Sequence, residues 1–166
     1  MRPRAEMVVL SVRASRAAPP GSAQPSSVSH LVVYSRKEPV PSRVLIVDDS
    51  ETVRLKAKQT LEAAGFEVIG AESGTTGMAA FREHQDLTLV LLDLNMPGIS
   101  GLALLEWVRR EKRDHTPPVV MMTTEMAPAL MERAKRAGAA GWVIKPFNPE
   151  QLVSVAKRLT RAAGNE

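Results

Sequence analysis

The sequence contains no cysteine, so neither a disulfide nor a thiolate metal site can form. Long apolar runs are also missing. Uninterrupted stretches reach only a few residues, far short of the roughly 20 that span a bilayer as a helix. No internal repeat is present, and no clear export signal. Met7-Val8-Val9-Leu10 is a short apolar patch, but Glu6 and Arg13 bracket it closely and no small-residue cleavage site follows. These absences lead to the expectation of a cytoplasmic protein with no membrane partner.

An excess of one charge is likewise missing from most of the chain. The net charge of +4 belongs to residues 1–42, where six Lys/Arg face two acids. Residues 43–166 hold sixteen of each sign. Because phosphate contacts supply most affinity for nucleic acid, a neutral domain with one acidic end is a poor binder, and no direct nucleic-acid partner is expected.

What is present suits one ordinary domain: 166 residues, 44% of them hydrophobic. Residues 17–29 are crowded with Pro, Ser, Ala and Gly, as linkers are. Leu31-Val32-Val33-Tyr34 could form an edge strand, with Pro39 and Pro41 close behind. The expected organisation is a disordered or linker-like arm over residues 1–42, or residues added by a misassigned start, followed by one domain over 43–166.

From Arg43 onward, strand and helix patterns alternate five times. Strands are expected at residues 44–47, 66–70, 87–92, 119–122 and 141–144. All but the second are nearly continuous apolar runs, the pattern of parallel strands covered on both faces. Between them run helical stripes: Val53, Ala57, Leu61 and Ala64; Leu102, Leu105 and Val108; Leu152, Val155 and Leu159. Ser50, Ser73, Ser100 and Asn148 suit N-caps, and Gly65 and Gly138 suit helix ends. Five such units imply an open, doubly wound α/β sheet, in which ligands bind beyond the carboxyl ends of the strands.

Four short stretches fall at those ends: Asp48-Asp49, Asp93, Thr123 and Lys145-Pro146. Each has a structural reading. The aspartate pair could cap a helix, Asp93 could start the turn Leu94-Asn95-Met96-Pro97-Gly98, Thr123 could cap the next helix, and Lys145 could be solvated. Thr124 beside Thr123 blurs that assignment. The chemical reading joins all four. Carboxylates so close repel unless a cation intervenes, and Mg²⁺ prefers one or two carboxylates with water or phosphate oxygens completing its shell. An aspartate beside such a site can accept a phosphoryl group. Trp142 is either a half-buried strand aromatic or a side chain that moves with the site. His30, His84 and His115 are scattered among polar residues and are given no catalytic role.

The motifs VLIVDDS at 44–50, LLDLNMPGISG at 91–101, MMTTE at 121–125 and GWVIKPF at 141–147 resemble the receiver domain of two-component response regulators. The similarity covers roughly residues 43–164, with successive spacings of 44 residues from Asp49 to Asp93, 30 from there to Thr123 and 22 from there to Lys145. It implies a flavodoxin-like fold with five helices and strand order 2-1-3-4-5. It also implies that Asp93 accepts a phosphoryl group from a histidine kinase or histidine phosphotransfer protein. Asp49 and Asp93 would bind Mg²⁺ directly, with the Asn95 carbonyl, and Asp48 through a coordinated water. Lys145 would contact the phosphoryl oxygens, and its bond to Pro146 would be cis. Thr123 would be the switch hydroxyl and Trp142 the switch aromatic, where the family more often has Tyr or Phe. Asn95 and Glu125 resemble chemotaxis (CheY-like) regulators and would tune the lifetime of the phosphorylated state.

Such a domain catalyses its own phosphorylation and dephosphorylation but is not otherwise an enzyme. An aspartyl-phosphate hydrolase would usually carry a general acid two residues after the nucleophile, where this chain has Asn95. A dead interaction module is disfavoured because every expected residue is present. The chain ends at Glu166, just past the last helix, so the expected output is a separate protein on the face of the fourth helix and fifth strand.

Overall fold

The computed structural model describes residues 7–9, 32–34, 42–111, 115–124 and 127–163. The chain divides into two units, Met1–Val40 and Pro41–Glu166. In the first, β1 (Met7–Val9) pairs antiparallel with β2 (Val32–Tyr34), Val8 opposite Val33. The segment around Val33 is therefore a strand, but it pairs with β1 rather than with the larger sheet. Apart from these strands and Ser42, residues 1–42 lie outside the described residues, as does the expectation placed on them.

In the second unit five strands alternate with five helices. The strands are β3 (Arg43–Val47), β4 (Glu67–Ala71), β5 (Leu87–Asp93), β6 (Val119–Thr123) and β7 (Gly141–Ile144). The helices are α1 (Glu51–Ala63), α2 (Gly74–Glu83), α3 (Gly101–Arg110), α4 (Pro128–Arg136) and α5 (Pro149–Ala163). All pairings are parallel, in the order β4-β3-β5-β6-β7. Counted within this unit, that is 2-1-3-4-5, the flavodoxin-like arrangement.

Side-chain alternation along the central strands builds two cores, one on each face. Leu45, Val47, Val90, Leu92 and Met121 pack with Phe81 of α2, with Leu104 and Leu105 of α3, and with Ala134 of α4. Val44, Ile46, Leu89, Leu91 and Met122 pack with Ala57 and Leu61 of α1 and Leu152 and Ala156 of α5. At the start of β5 the register shifts between Arg43 and Val44, so one residue bulges out. That residue is Thr88, whose hydroxyl donates to the Arg43 carbonyl at 3.0 Å. The bulge explains why Leu87 and Leu89 join opposite cores.

One expectation needs correcting. The apolar run of β7 suggested a strand covered on both faces, yet β7 lies at the sheet edge and Ile144 is 40% exposed. The other edge strand, β4, exposes Glu67 and Gly70.

Ser50, Ser73 and Ser100 cap α1, α2 and α3 by accepting the amides of Val53, Thr76 and Ala103. The Asn148 side chain accepts the Glu150 amide at 2.8 Å. Gly65 and Gly138 follow α1 and α4 with φ of 90° and 94°, a region glycine enters without steric cost.

Candidate functional site

The strand order itself creates the site. From β3 the sheet grows one way to β4 and the other way to β5, so a crevice opens at the carboxyl ends of β3 and β5. Asp48 and Asp49 follow β3, and Asp93 is the last residue of β5. Thr123 ends β6 and Lys145 follows β7, extending the row along the same rim.

Of the competing structural readings only that of Asp93 persists, since its Oδ1 accepts the Asn95 amide in the turn that follows. The cap of α1 is Ser50, not either aspartate. The cap of α4 is Ala127, which makes no side-chain cap bond, so Thr123 does not serve that helix. Thr123 is buried while Thr124 is exposed, which separates the two hydroxyls. Lys145 is not solvated either; its side chain is 11% exposed.

Lys145 ties the cluster together. Its Nζ lies 2.9 Å from Asp48 Oδ2 and 2.8 Å from Asp93 Oδ1, and both carboxylates are almost fully buried. Its backbone amide donates to the Thr123 carbonyl at 2.7 Å, and the Lys145-Pro146 bond is cis. Asp48 Oδ1 accepts the Ser50 amide at 2.9 Å, and Asp93 Oδ1 accepts the Asn95 amide at 3.4 Å. Asp49 is exposed. One carboxylate oxygen from each of Asp48, Asp49 and Asp93 lies within 4.8 Å of the others, so the three together could hold a metal ion. Hard oxygen donors of this kind suit Mg²⁺, Ca²⁺ or Mn²⁺ rather than softer metals.

Burial holds the Asp93 carboxyl above the usual carboxylate range; the hydrogen bond from Lys145 offsets part of this, and the Asp48 charge adds to it. Burial acts on the Lys145 ammonium in the lowering direction, but hydrogen bonds and charge from Asp93 and Asp48 outweigh it and leave the group raised. The sign for stability follows. A carboxyl raised on folding contributes stability that is complete below its unfolded value and is lost as pH rises through its folded value. Metal-free protein should therefore lose stability relative to Asp93→Asn as pH rises above the ordinary carboxylate range. Paired thermal melts over that rise in pH check it; a constant difference would contradict the burial argument.

The remaining expected residues are placed as follows. Asn95 is exposed in the loop after β5, between buried Leu94 and Met96, which anchor that loop. Trp142 is half-buried in β7 at the margin of one core. Glu125 lies outside the described residues. His84 and His115 precede β5 and β6, at the opposite ends of those strands from the cluster.

Two supporting residues were not singled out from sequence. The Arg54 guanidinium donates to the carbonyls of Asp48 and Asp49. Gly101 packs so tightly that an added Cβ would sit 2.0 Å from the Asp93 carbonyl oxygen. The signal for Gly101 was its place directly after the Ser100 cap, where only close backbone approach requires glycine. Gly101→Ala should cost about 2 kcal/mol or more, because backbone rather than a flexible side chain must yield. Gly70→Ala meets no atom within 4 Å and should stay within about 0.5 kcal/mol in the same denaturant titration.

The sequence pattern of the response regulator receiver domain matches residues 44–157. The chain belongs to that family. Among curated receiver proteins it is 37% identical over 111 residues to a chemotaxis protein CheY homolog of Campylobacter jejuni, covering 66% of this chain and 85% of the relative. It is 34% identical over 112 residues to protein PilH of Pseudomonas aeruginosa, covering 68% and 92%. The solved structure of Vibrio cholerae chemotaxis protein CheY4 superposes on this receiver with a TM-score of 0.69 at 35% identity, covering 72% of this chain and 99% of that one. The receiver is thus CheY-like and belongs to two-component signalling.

Proposed function

We propose that this receiver domain is a phosphorylation switch that accepts a phosphoryl group on Asp93 from a histidine kinase or histidine phosphotransfer protein. The observation that carries the reading is Lys145 Nζ, which bridges two buried carboxylates at the crevice between β3 and β5. Asp49 and Asp93, with the Asn95 carbonyl, would hold Mg²⁺, and Asp48 would act through a coordinated water. When bound there, Mg²⁺ would supply positive charge that offsets the negative charge of the transferring phosphoryl group.

The chain's own residues do the rest. An Asp93 carboxylate oxygen attacks phosphorus, and the bond from phosphorus to the donor nitrogen breaks with its electron pair leaving on the donor imidazole. Lys145 stays protonated and moves from carboxylate to phosphoryl oxygen, offsetting developing charge in a water-poor site. The new acyl phosphate adds charge and acceptor oxygens that the Thr123 hydroxyl can meet. Reorienting Thr123 acts on β6 and the start of α4, which lacks a side-chain cap bond. Hydrolysis later returns Asp93 to its carboxylate, with Asn95 and Glu125 tuning how quickly water attacks.

A groove of about 500 Å³ between α4 and β7, bordered by Met131, Lys135 and Trp142, supports an output face there for a separate protein. Leu130 and Ile144 are exposed apolar side chains on the same two elements. A shift in the population of two forms of this face would carry the signal. Working beside a histidine kinase, the protein would act in the cytoplasm.

Trp142 can report the switch once Trp107, the second indole, is replaced. Trp107 packs edge-on to Phe81 at 5.7 Å with Arg82 over its ring at 5.0 Å. In a Trp107→Phe background, Mg²⁺ with beryllofluoride should change the emission of Trp142. Adding Thr123→Ala should remove most of that change while phosphoryl uptake from acetyl phosphate persists. An unchanged response in Thr123→Ala would take the switch role away from Thr123.

A further inference from the structure

Given the phosphoacceptor reading above, we infer that Arg54 is the positioning residue for the metal-binding acids, acting through their backbone rather than their charge. Arg54 lies near the start of α1, four residues after the Ser50 cap. Long helical side chains lean back towards the helix N-terminus, which carries this guanidinium over the junction between β3 and α1. There one nitrogen, Nη1, donates to both the Asp48 carbonyl at 2.8 Å and the Asp49 carbonyl at 3.1 Å. Nη1 has two hydrogens, one for each oxygen. Both bonds go to the main chain, so neither carboxylate is spent on the guanidinium.

The effect differs between the two acids. Asp48 is held at several points besides: its amide donates to the Ala71 carbonyl at 3.1 Å, and its carboxylate bonds Ser50 and Lys145. Asp49 is exposed, and its carbonyl end of the Asp49–Ser50 peptide is held by Arg54, while the amide end donates to Asp48 Oδ1. If that peptide rotates, the Asp49 carboxylate swings away from the cluster. A cation near a helix N-terminus also opposes the helix dipole, so helix stability does not explain the residue.

Position and charge predict opposite signs, which makes the role testable. A clasp that orients the acids strengthens cation binding, whereas a nearby positive charge weakens it. Calorimetric titration of Mg²⁺ into the full chain should show weaker binding in both Arg54→Met and Arg54→Lys, on the order of tenfold for Met. A lysine ammonium has hydrogens enough for both carbonyls but ends one bond short of Nη1, so Lys should restore only part. Phosphorylation by acetyl phosphate should need more Mg²⁺ by the same factor and recover most of the wild-type rate at saturation.

Binding by Arg54→Met as tight as wild type, or tighter, would overturn the clasp, as would full rescue by Arg54→Lys. A lower melting temperature with unchanged Mg²⁺ affinity would reduce Arg54 to a structural residue and overturn it too. Failure of the wild type itself to bind Mg²⁺ would overturn the phosphoacceptor reading along with it. A wild type that binds while the variants match it would remove Arg54 alone.

Discussion

Asp93→Asn should abolish phosphoryl uptake altogether while making the metal-free protein more stable. The asparagine keeps the size of the side chain but removes the nucleophilic oxygen, and an amide does not form an acyl phosphate. Loss of uptake should therefore be complete rather than partial. Stability moves the other way because the native Asp93 carboxylate is 3% exposed beside buried Asp48, and burial disfavours its charged form at neutral pH. Removing that charge relieves the site. Mg²⁺ should raise the melting temperature of the wild type and do so much less in the variant, because the cation loses one of three carboxylates. Intact-mass measurement with acetyl phosphate, and melts with and without Mg²⁺, read both effects. A destabilised variant would mean that the Lys145 contact outweighs burial at Asp93.

Lys145→Ala has the largest expected cost in stability. Removing the ammonium leaves Asp48 and Asp93 buried together with no cation between them. Breaking a buried pair from one side typically costs about 3–5 kcal/mol, because the remaining charge stays out of water. Here two carboxylates are stranded, and Mg²⁺ should restore part of the loss. Lys145→Arg is a poor rescue, since a planar fork does not fit where one compact ammonium meets two oxygens. Denaturant titration with and without Mg²⁺ gives the numbers. A loss below about 1 kcal/mol would place the pair among weakly coupled surface contacts and contradict the geometry.

The fold was legible in the sequence because all its parallel strands but β4 are nearly continuous apolar runs and all its helices but α4 begin at a residue whose side chain caps them. Ser50, Ser73 and Ser100 all bond the amides expected of them. The ends of strands were legible to within one residue, as with β4, which starts at Glu67 rather than Phe66. What local pattern did not reveal was which strand is an edge. Gly141-Trp142-Val143-Ile144 is as apolar as a central strand, and exposure of Ile144 follows from strand order, a long-range property. The aspartates, Thr123 and Lys145 were legible because each follows a strand, and strand ends converge in this topology. Arg54 and Gly101 were not, because each acts through a main-chain carbonyl, and such a contact leaves no pattern in side-chain chemistry.

The most direct measurement is to locate the phosphoryl group. The wild-type chain, incubated with acetyl phosphate and Mg²⁺, should gain the mass of one phosphoryl group. The gain should disappear with a chelator, and hydroxylamine should release it, as an acyl phosphate requires. Fragment masses should place it on the segment carrying Asp93. A gain that survives in Asp93→Asn, that ignores Mg²⁺, or that maps to another residue would contradict the account.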